Sequence, residues 1–151
     1  MALQSVVNSE YALGTPGCKA TPDQSIYTVE NYFVGDQAGV AAGTFAWIES
    51  GVLTNTNTGS GTFAGFVQRD VYYPAYTLTE GGMVIPEGES VTVAKKGDYY
   101  AQMATSCTAG QTVYATTSGT LTVTSASGVA DTGWKVAIGA ASGGTCVISN
   151  W

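Results

Sequence analysis

"MVIPEGESVTVAKKGDYYAQM", residues 83–103, is the stretch that decides the fold class of this chain. Pro86 and Gly88 are turn-forming residues, and the ESVTVA segment after them alternates polar and apolar side chains with the period of two that a half-buried strand requires. KKGD then predicts a hairpin connection, because Gly97 can adopt the positive φ of a tight turn. The YYAQM that follows returns as the partner strand, so the stretch predicts a β-hairpin.

The sequence on the C-terminal side of this hairpin continues the β pattern. TVYATTSGTLTVTS, residues 112–125, predicts a second hairpin that turns at its SG dipeptide. Residues 133–138 and 145–150 predict two further strands on either side of a glycine-rich loop.

The sequence on the N-terminal side also alternates. GVAAGTFAWI, residues 39–48, places Phe45 and Trp47 on one face of a strand and smaller residues on the other, and a polar loop and a second strand that ends at Pro74 follow. No apolar stripe with the 3.6-residue period of a helix accompanies these segments. We therefore expect an all-β fold, a jelly-roll/β-sandwich or barrel-like single domain over residues 39–151.

Residues 1–38 lack this regular pattern. Gly14, Pro16, Gly17 and Pro22 break the segment into short pieces, which predicts an irregular, extended N-terminal arm with turns. An extended arm costs conformational entropy unless something holds it. It therefore either wraps its own domain or lies on a neighbouring subunit.

The composition argues against an enzyme. The chain has no histidine, the residue most used for acid–base catalysis and for metal binding, and only 11% of its residues are charged. No serine motif of a hydrolase and no glycine-rich phosphate loop is present, and the carboxylates follow no calcium-loop spacing. We expect no catalytic, cofactor-binding or metal site.

Charge and cysteine content restrict partners and compartment. The net charge of −6 and the presence of only five basic residues, of which only Lys95 and Lys96 are adjacent, argue against nucleic-acid binding, which needs clustered Lys and Arg. No signal peptide and no apolar run of about 20 residues is present, so no membrane partner is expected. Cys18, Cys107 and Cys146 have no metal or redox spacing and are predicted to be free thiols of a protein made in a reducing cytoplasm.

Aromatic residues and the single arginine, Arg69, predict a binding surface. Paired tyrosines place a ring on both faces of a strand, and exposed Tyr, Trp and Arg dominate the binding energy of protein interfaces. The interface candidates are Arg69, Asp70, Tyr72, Tyr73, Tyr99, Tyr100, Trp47 and Trp151.

The order of these segments resembles that of a known family. GFVQR, VIPEGESVTVAKKGDYYA and GQTVYA, within roughly residues 30–151, resemble segments of the structural cement proteins that decorate the heads of tailed bacteriophages. The resemblance implies a non-enzymatic β-domain on the outer surface of the capsid. It would bridge neighbouring subunits of the major capsid protein, stabilise the mature head, and associate with itself as a homodimer or homotrimer.

Two other functions are compatible with the same sequence. Another virion β-protein, such as a head fibre, tail or baseplate component, would share the β content and the low charge. A carbohydrate-binding module would use Trp47, Trp134 and Trp151 as a coplanar stacking platform for sugar rings.

Overall fold

The computed structural model of the chain describes residues 14–22, 24–28, 30–69, 78–79 and 82–151, and all regular structure within these ranges is β-structure. This result confirms the predicted all-β class. The strands are β1 (Ile26–Tyr27), β2 (Tyr32–Phe33), β3 (Val40–Ala41), β4 (Phe45–Glu49), β5 (Val52–Thr54), β6 (Thr62–Val67), β7 (Leu78–Thr79), β8 (Gly82–Ile85), β9 (Ser90–Val91), β10 (Val93–Gln102), β11 (Thr112–Ala115), β12 (Leu121–Thr122), β13 (Ala130–Ile138) and β14 (Thr145–Asn150).

One large antiparallel sheet carries most of the fold. Its order is β12-β11-β13-β14-β10-β6-β4-β5, with β1 also paired to β10, and it curls into a half-barrel. The turn between β11 and β12 reaches back to the far end of this sheet, where Phe45 N donates to Gly119 O at 2.9 Å and Asn57 N donates to Thr117 O at 2.8 Å. Two small sheets, β2-β9 and β3-β8-β7, accompany it.

The core lies on both sides of β4, because successive side chains of a strand point to opposite faces. Phe45 and Trp47 pack into an aromatic cluster inside the half-barrel, whose ring centroids lie 5.3–6.2 Å apart. Ala46 and Ile48 face a second, aliphatic cluster that includes Val40. The alternation predicted for residues 39–48 is therefore confirmed, although the segment divides into β3 and β4.

The hairpin predicted for residues 112–125 is present, and so are the two strands predicted around the glycine-rich loop. β11 pairs with β12 around the turn at Gly119, and β13 pairs with β14 around the glycine-rich loop. The Pro86–Gly88 turn is also present, and Glu89 N donates to Pro86 O at 3.3 Å.

The predicted turn at KKGD is wrong. β10 runs without interruption through these residues, so ESV and YYA do not pair with each other. Gly97 does have a positive φ, of 140°, but it adopts this conformation inside a strand. At this point β10 changes partner: residues 93–94 pair with β6, and residues 97–102 pair with β14.

Because β6 pairs only with residues 93–94 and β14 only with residues 97–102, part of each backbone edge of β10 is left without a strand of the main sheet. The described part of the N-terminal arm occupies both of these places. Gly17 N donates to Tyr100 O and Ala20 N donates to Asp98 O, both at 2.8 Å, along the edge of β10 that pairs with β6 at residues 93–94. Thr28 N donates to Val93 O at 3.0 Å along the opposite edge of β10, the one that pairs with β14 at residues 97–102. Because alternate residues of a strand direct their backbone groups to opposite sides, the arm crosses β10 between residues 20 and 26. This "arm crossing" ties residues 14–28 to their own domain, while the division of the chain at residue 38 stays a prediction.

Candidate functional site

Two of the predicted interface residues are core residues. Tyr99 has no exposed surface and Trp47 is 2% exposed, and both rings belong to the aromatic cluster inside the half-barrel. A side chain so deeply buried cannot contact a partner, so the structure removes Trp47 and Tyr99 from the candidate surface. The tyrosine pair nevertheless alternates as expected, because the side chain of Tyr100 is only partly buried on the other face of β10.

Arg69 and Tyr100 lie on either side of one residue of the arm. Gly17 O accepts a hydrogen bond from Arg69 N, and Gly17 N donates to Tyr100 O, both at 2.8 Å. A side chain at position 17 would also meet the Cβ of Arg69 at 2.9 Å, so this contact requires glycine. Arg69 itself is half-buried. The other candidates in its stretch, Asp70, Tyr72 and Tyr73, lie outside the described residues.

Trp151 is the most exposed of the large apolar side chains in the described part of the chain, at 61%. Its indole Nε1 donates to Asp98 Oδ1 at 3.0 Å, and the other carboxylate oxygen of Asp98 accepts from Thr21 Oγ1 at 3.0 Å. Asp98 thus joins the arm to the C-terminus. The register of β10 with β14 brings Trp151 to the level of Lys96, whose partner on the arm is Ile26.

We call Ile26, Lys95, Lys96, Lys135 and Trp151, which lie around the arm crossing, the "basic patch"; the Asp98 carboxylate lies among them. The three lysines are exposed, and the backbone oxygen of Lys95 accepts a hydrogen bond from Asn150 Nδ2 at 2.9 Å. Lys135 reaches the patch across β14, because Ser149 is the register partner of both Lys135 and Asp98.

A polar cluster beneath the arm crossing fixes its position. Tyr99 OH donates to Gln68 Oε1 at 2.9 Å, and the Lys19 ammonium lies 5.6 Å from the centre of the Tyr27 ring. Burial raises the pKa of Tyr99 well above its usual value. Burial also acts to raise the pKa of Tyr27, but hydrogen bonds and the charge of Lys19 outweigh it and lower that pKa. The Tyr99 phenol is therefore neutral near pH 7 and serves as the hydrogen-bond donor to Gln68.

The acidic and cysteine side chains of the described residues are dispersed over the fold. No group of three or more His, Cys, Asp or Glu side chains among them is placed to hold a metal ion. A groove of about 350 Å³ lies between Asp36 and Glu49, but both carboxylates accept hydrogen bonds from local donors, Ala38 N to the first and Thr58 N to the second. No helix of the described ranges is long and apolar enough to cross a membrane.

The platform expected of a carbohydrate-binding module is also not formed. Trp47 and Trp134 are 2% and 1% exposed and pack inside the half-barrel, which leaves Trp151 as the exposed member of the three.

Comparison with known proteins identifies the family. The family model described as "Structural cement protein (E217 gp24/Pam3 gp6)" matches residues 3–150, nearly the whole chain. The chain belongs to the phage structural cement proteins. A cement protein stabilises the assembled head as a structural component of the virion, and this role agrees with the β-fold and the small number of charged residues. No curated protein matches the chain.

The fold of this cement protein is similar to that of a chain in a solved structure described as "The capsid of Myoviridae Phage XM1". The TM-score is 0.63 at 18% sequence identity, and the match covers 99% of this chain and 97% of that chain. At this identity the likeness shows a shared fold.

Of the basic-patch residues of this cement protein, the sequence alone indicated only Trp151. Ile26 lies in a segment predicted only as an arm, and Lys95 and Lys96 were assigned to a turn. Two lysines followed by a glycine can form a turn or continue a strand, and the local sequence does not distinguish the two. The positions of Lys95 and Lys96 follow only from the hydrogen bonds between β10 and residues 17–28.

Proposed function

We propose that this cement protein binds the outer surface of the lattice of the major capsid protein and bridges neighbouring subunits of the mature head. Membership of the cement family over residues 3–150 is the observation that carries this proposal. The protein is made in the cytoplasm of the host bacterium, where its cysteines stay reduced, and it acts as a homodimer or homotrimer on the head.

The bridging mechanism follows from differential affinity. A subunit that contacts two capsid neighbours at once binds only when both hold their mature positions, so its binding free energy shifts the shell toward that lattice. Many copies bound to one shell make a modest affinity at each site sufficient.

The sheet edges favour contact through side chains rather than through added strands. The edge strand β5 is covered by residues 34–35, since Gly35 N donates to Leu53 O at 3.0 Å. The other edge strand, β12, is covered by residues 103–104, since Ala104 N donates to Leu121 O at 3.1 Å. A capsid subunit cannot extend the main sheet at a covered edge without displacing these segments. The exposed Trp151 and the half-buried Arg69 are the better candidates for the capsid contact.

Binding to empty heads tests the proposal. Purified chain is mixed with expanded heads and with unexpanded proheads of a phage whose own cement protein has been removed, and bound protein is measured after sedimentation. We expect saturable binding to expanded heads, much weaker binding to proheads, and greater resistance of the loaded heads to heat. Equal binding to both forms, or binding without any gain in resistance, would contradict the mechanism.

A further inference from the structure

The fold brings two of the three cysteines together, although their spacing in the sequence matches no redox motif. Cys107 pairs with Ala140, since Cys107 N donates to Ala140 O at 2.9 Å and Ala140 N donates to Cys107 O at 3.1 Å. Cys146 directly precedes the residue of β14 that is the register partner of Ile138. Both cysteines are therefore held against the same short stretch, residues 138–140.

Both cysteine side chains lie in the same part of the core. Cys146 has no exposed surface and Cys107 is 5% exposed, and both belong to the cluster inside the half-barrel. Gly139 lets the backbone of Cys107 pass close to the hairpin, because a Cβ at this position would collide with Cys107 O. The third cysteine, Cys18, is only partly buried and lies on the arm, along the edge of β10 opposite β14, where its backbone oxygen accepts from Tyr100 N at 2.9 Å.

The thiols of Cys107 and Cys146 also interact with each other. Burial is the main cause that raises the pKa of Cys146 to about 12, and the charge of the Cys107 thiolate and a hydrogen bond with Cys107 raise it further. A hydrogen bond between the side chains requires the two sulfur atoms to be neighbours. Cys146 Sγ also donates to Ala101 O at 3.3 Å, but a thiol is a weak donor, so little is lost when this sulfur takes a covalent partner.

We propose that Cys107 and Cys146 form a disulfide bond after the head has left the reducing cytoplasm of the host. The oxidant is a small-molecule disulfide, and the reaction is two successive thiol–disulfide exchanges. The thiolate of Cys107, the more accessible of the two, attacks one sulfur of the reagent, forms a mixed disulfide and releases one reagent thiolate. The Cys146 thiolate then attacks the Cys107 sulfur, forms the bridge and releases the second reagent thiolate. Two protein thiols are oxidised, the reagent is reduced to two thiols, and these take up the two protons.

The bridge would stabilise the half-barrel from inside. It would close the loop between residues 107 and 146, which contains β11, β12 and β13, and a disulfide across a loop of this length restricts the unfolded chain strongly. Free thiols are the expected state in the cytoplasm and disulfides the expected state outside the cell. The inference rests on the proposed function only for this change of compartment, and its test needs no capsid.

Refolding in a glutathione redox buffer tests the bridge, because both thiols are accessible to the reagent while the chain is unfolded. The full-length chain is unfolded in urea and diluted at pH 8 into a mixture of reduced and oxidised glutathione. Free thiols are then blocked with N-ethylmaleimide, and peptide mass spectrometry identifies the bridged pair. Cys18→Ala keeps both partners of the proposed bridge, whereas Cys107→Ala and Cys146→Ala each remove one of them.

We expect the bridge between Cys107 and Cys146 in the wild-type chain and in Cys18→Ala. It should exceed any bridge to Cys18 at least about tenfold, because proximity raises the effective concentration of one thiol at the other. The oxidised chain should melt at least about 5 °C above the same chain in dithiothreitol, and Cys107→Ala and Cys146→Ala should show no such gain.

Two results would overturn the inference. One is a refolded chain in which Cys107 and Cys146 both remain free in the oxidising buffer, and the other is bridges spread evenly over the three cysteines. The comparison of oxidised with reduced Cys18→Ala decides between these results and the expected one even if a core variant does not fold. Binding to expanded heads is measured separately, so either result would leave the proposed function intact.

Discussion

Gly97→Ala should detach the arm from β10. At this position φ is 140°, and an added Cβ would lie 2.6 Å from Ser25 Oγ and 2.8 Å from Tyr99 Cε2. Real Cβ atoms do not approach other atoms so closely, and Tyr99 is fixed in the core, so the arm has to move. Backbone strain at such a φ costs about 1–3 kcal/mol, and overpacking adds about 1–3 kcal/mol. We expect the free energy of unfolding to fall by about 2–6 kcal/mol.

Gly59→Ala is the matched control. Gly59 also has a positive φ, of 106°, but an added Cβ there would meet nothing within 4 Å, so this variant measures backbone strain without the clash. Urea unfolding gives the free energies, and hydrogen exchange follows the amides of Gly17, Ala20 and Thr28, which bond to β10. We expect faster exchange at these amides only in Gly97→Ala. If Gly97→Ala costs no more than Gly59→Ala and leaves this protection unchanged, the arm crossing does not depend on Gly97.

Three further substitutions or labelling experiments test other parts of the account. Tyr99→Phe removes the partly buried hydrogen bond to Gln68 and should lower the free energy of unfolding in urea by about 1–2 kcal/mol. An unchanged unfolding midpoint would contradict the structural role of that bond. Burial raises the pKa of Cys146 to about 12, so at pH 8 a maleimide should label the half-exposed Cys18 of the native chain well before Cys146. Peptide mass spectrometry gives the order of labelling, and early labelling of Cys146 would contradict its burial. Arg69→Ala should reduce the binding free energy for expanded heads by about 1–3 kcal/mol with little change in melting temperature. A variant that melts at a far lower temperature yet binds normally would show that Arg69 only supports the fold.

Local pattern was sufficient for the parts of the fold that local pairing builds. β11 with β12 and β13 with β14 are hairpins whose turn and strand signals lie within one short stretch of sequence. The first was predicted as a hairpin, and the second as two strands around a glycine-rich loop. The burial of one tyrosine of the 99–100 pair follows equally from strand alternation.

The arm crossing could not be predicted because its signals are long-range. Gly97 between charged residues is typical of a turn, and the backbone hydrogen bonds that occupy β10 come from residues 17–28, far away in sequence. The same limit affected the candidate site. Trp47 and Tyr99 were selected as aromatic residues, but whether an aromatic side chain faces the core or a partner depends on which sheet face is covered.

The most direct test of the central claim is a cryo-EM reconstruction of expanded heads that lack a cement protein, before and after addition of this chain. The account predicts new density on the outer surface, at stoichiometric occupancy, that fits the half-barrel and touches at least two neighbouring subunits of the major capsid protein. Heads without added density, or density confined to one capsid subunit at each site, would contradict the bridging role.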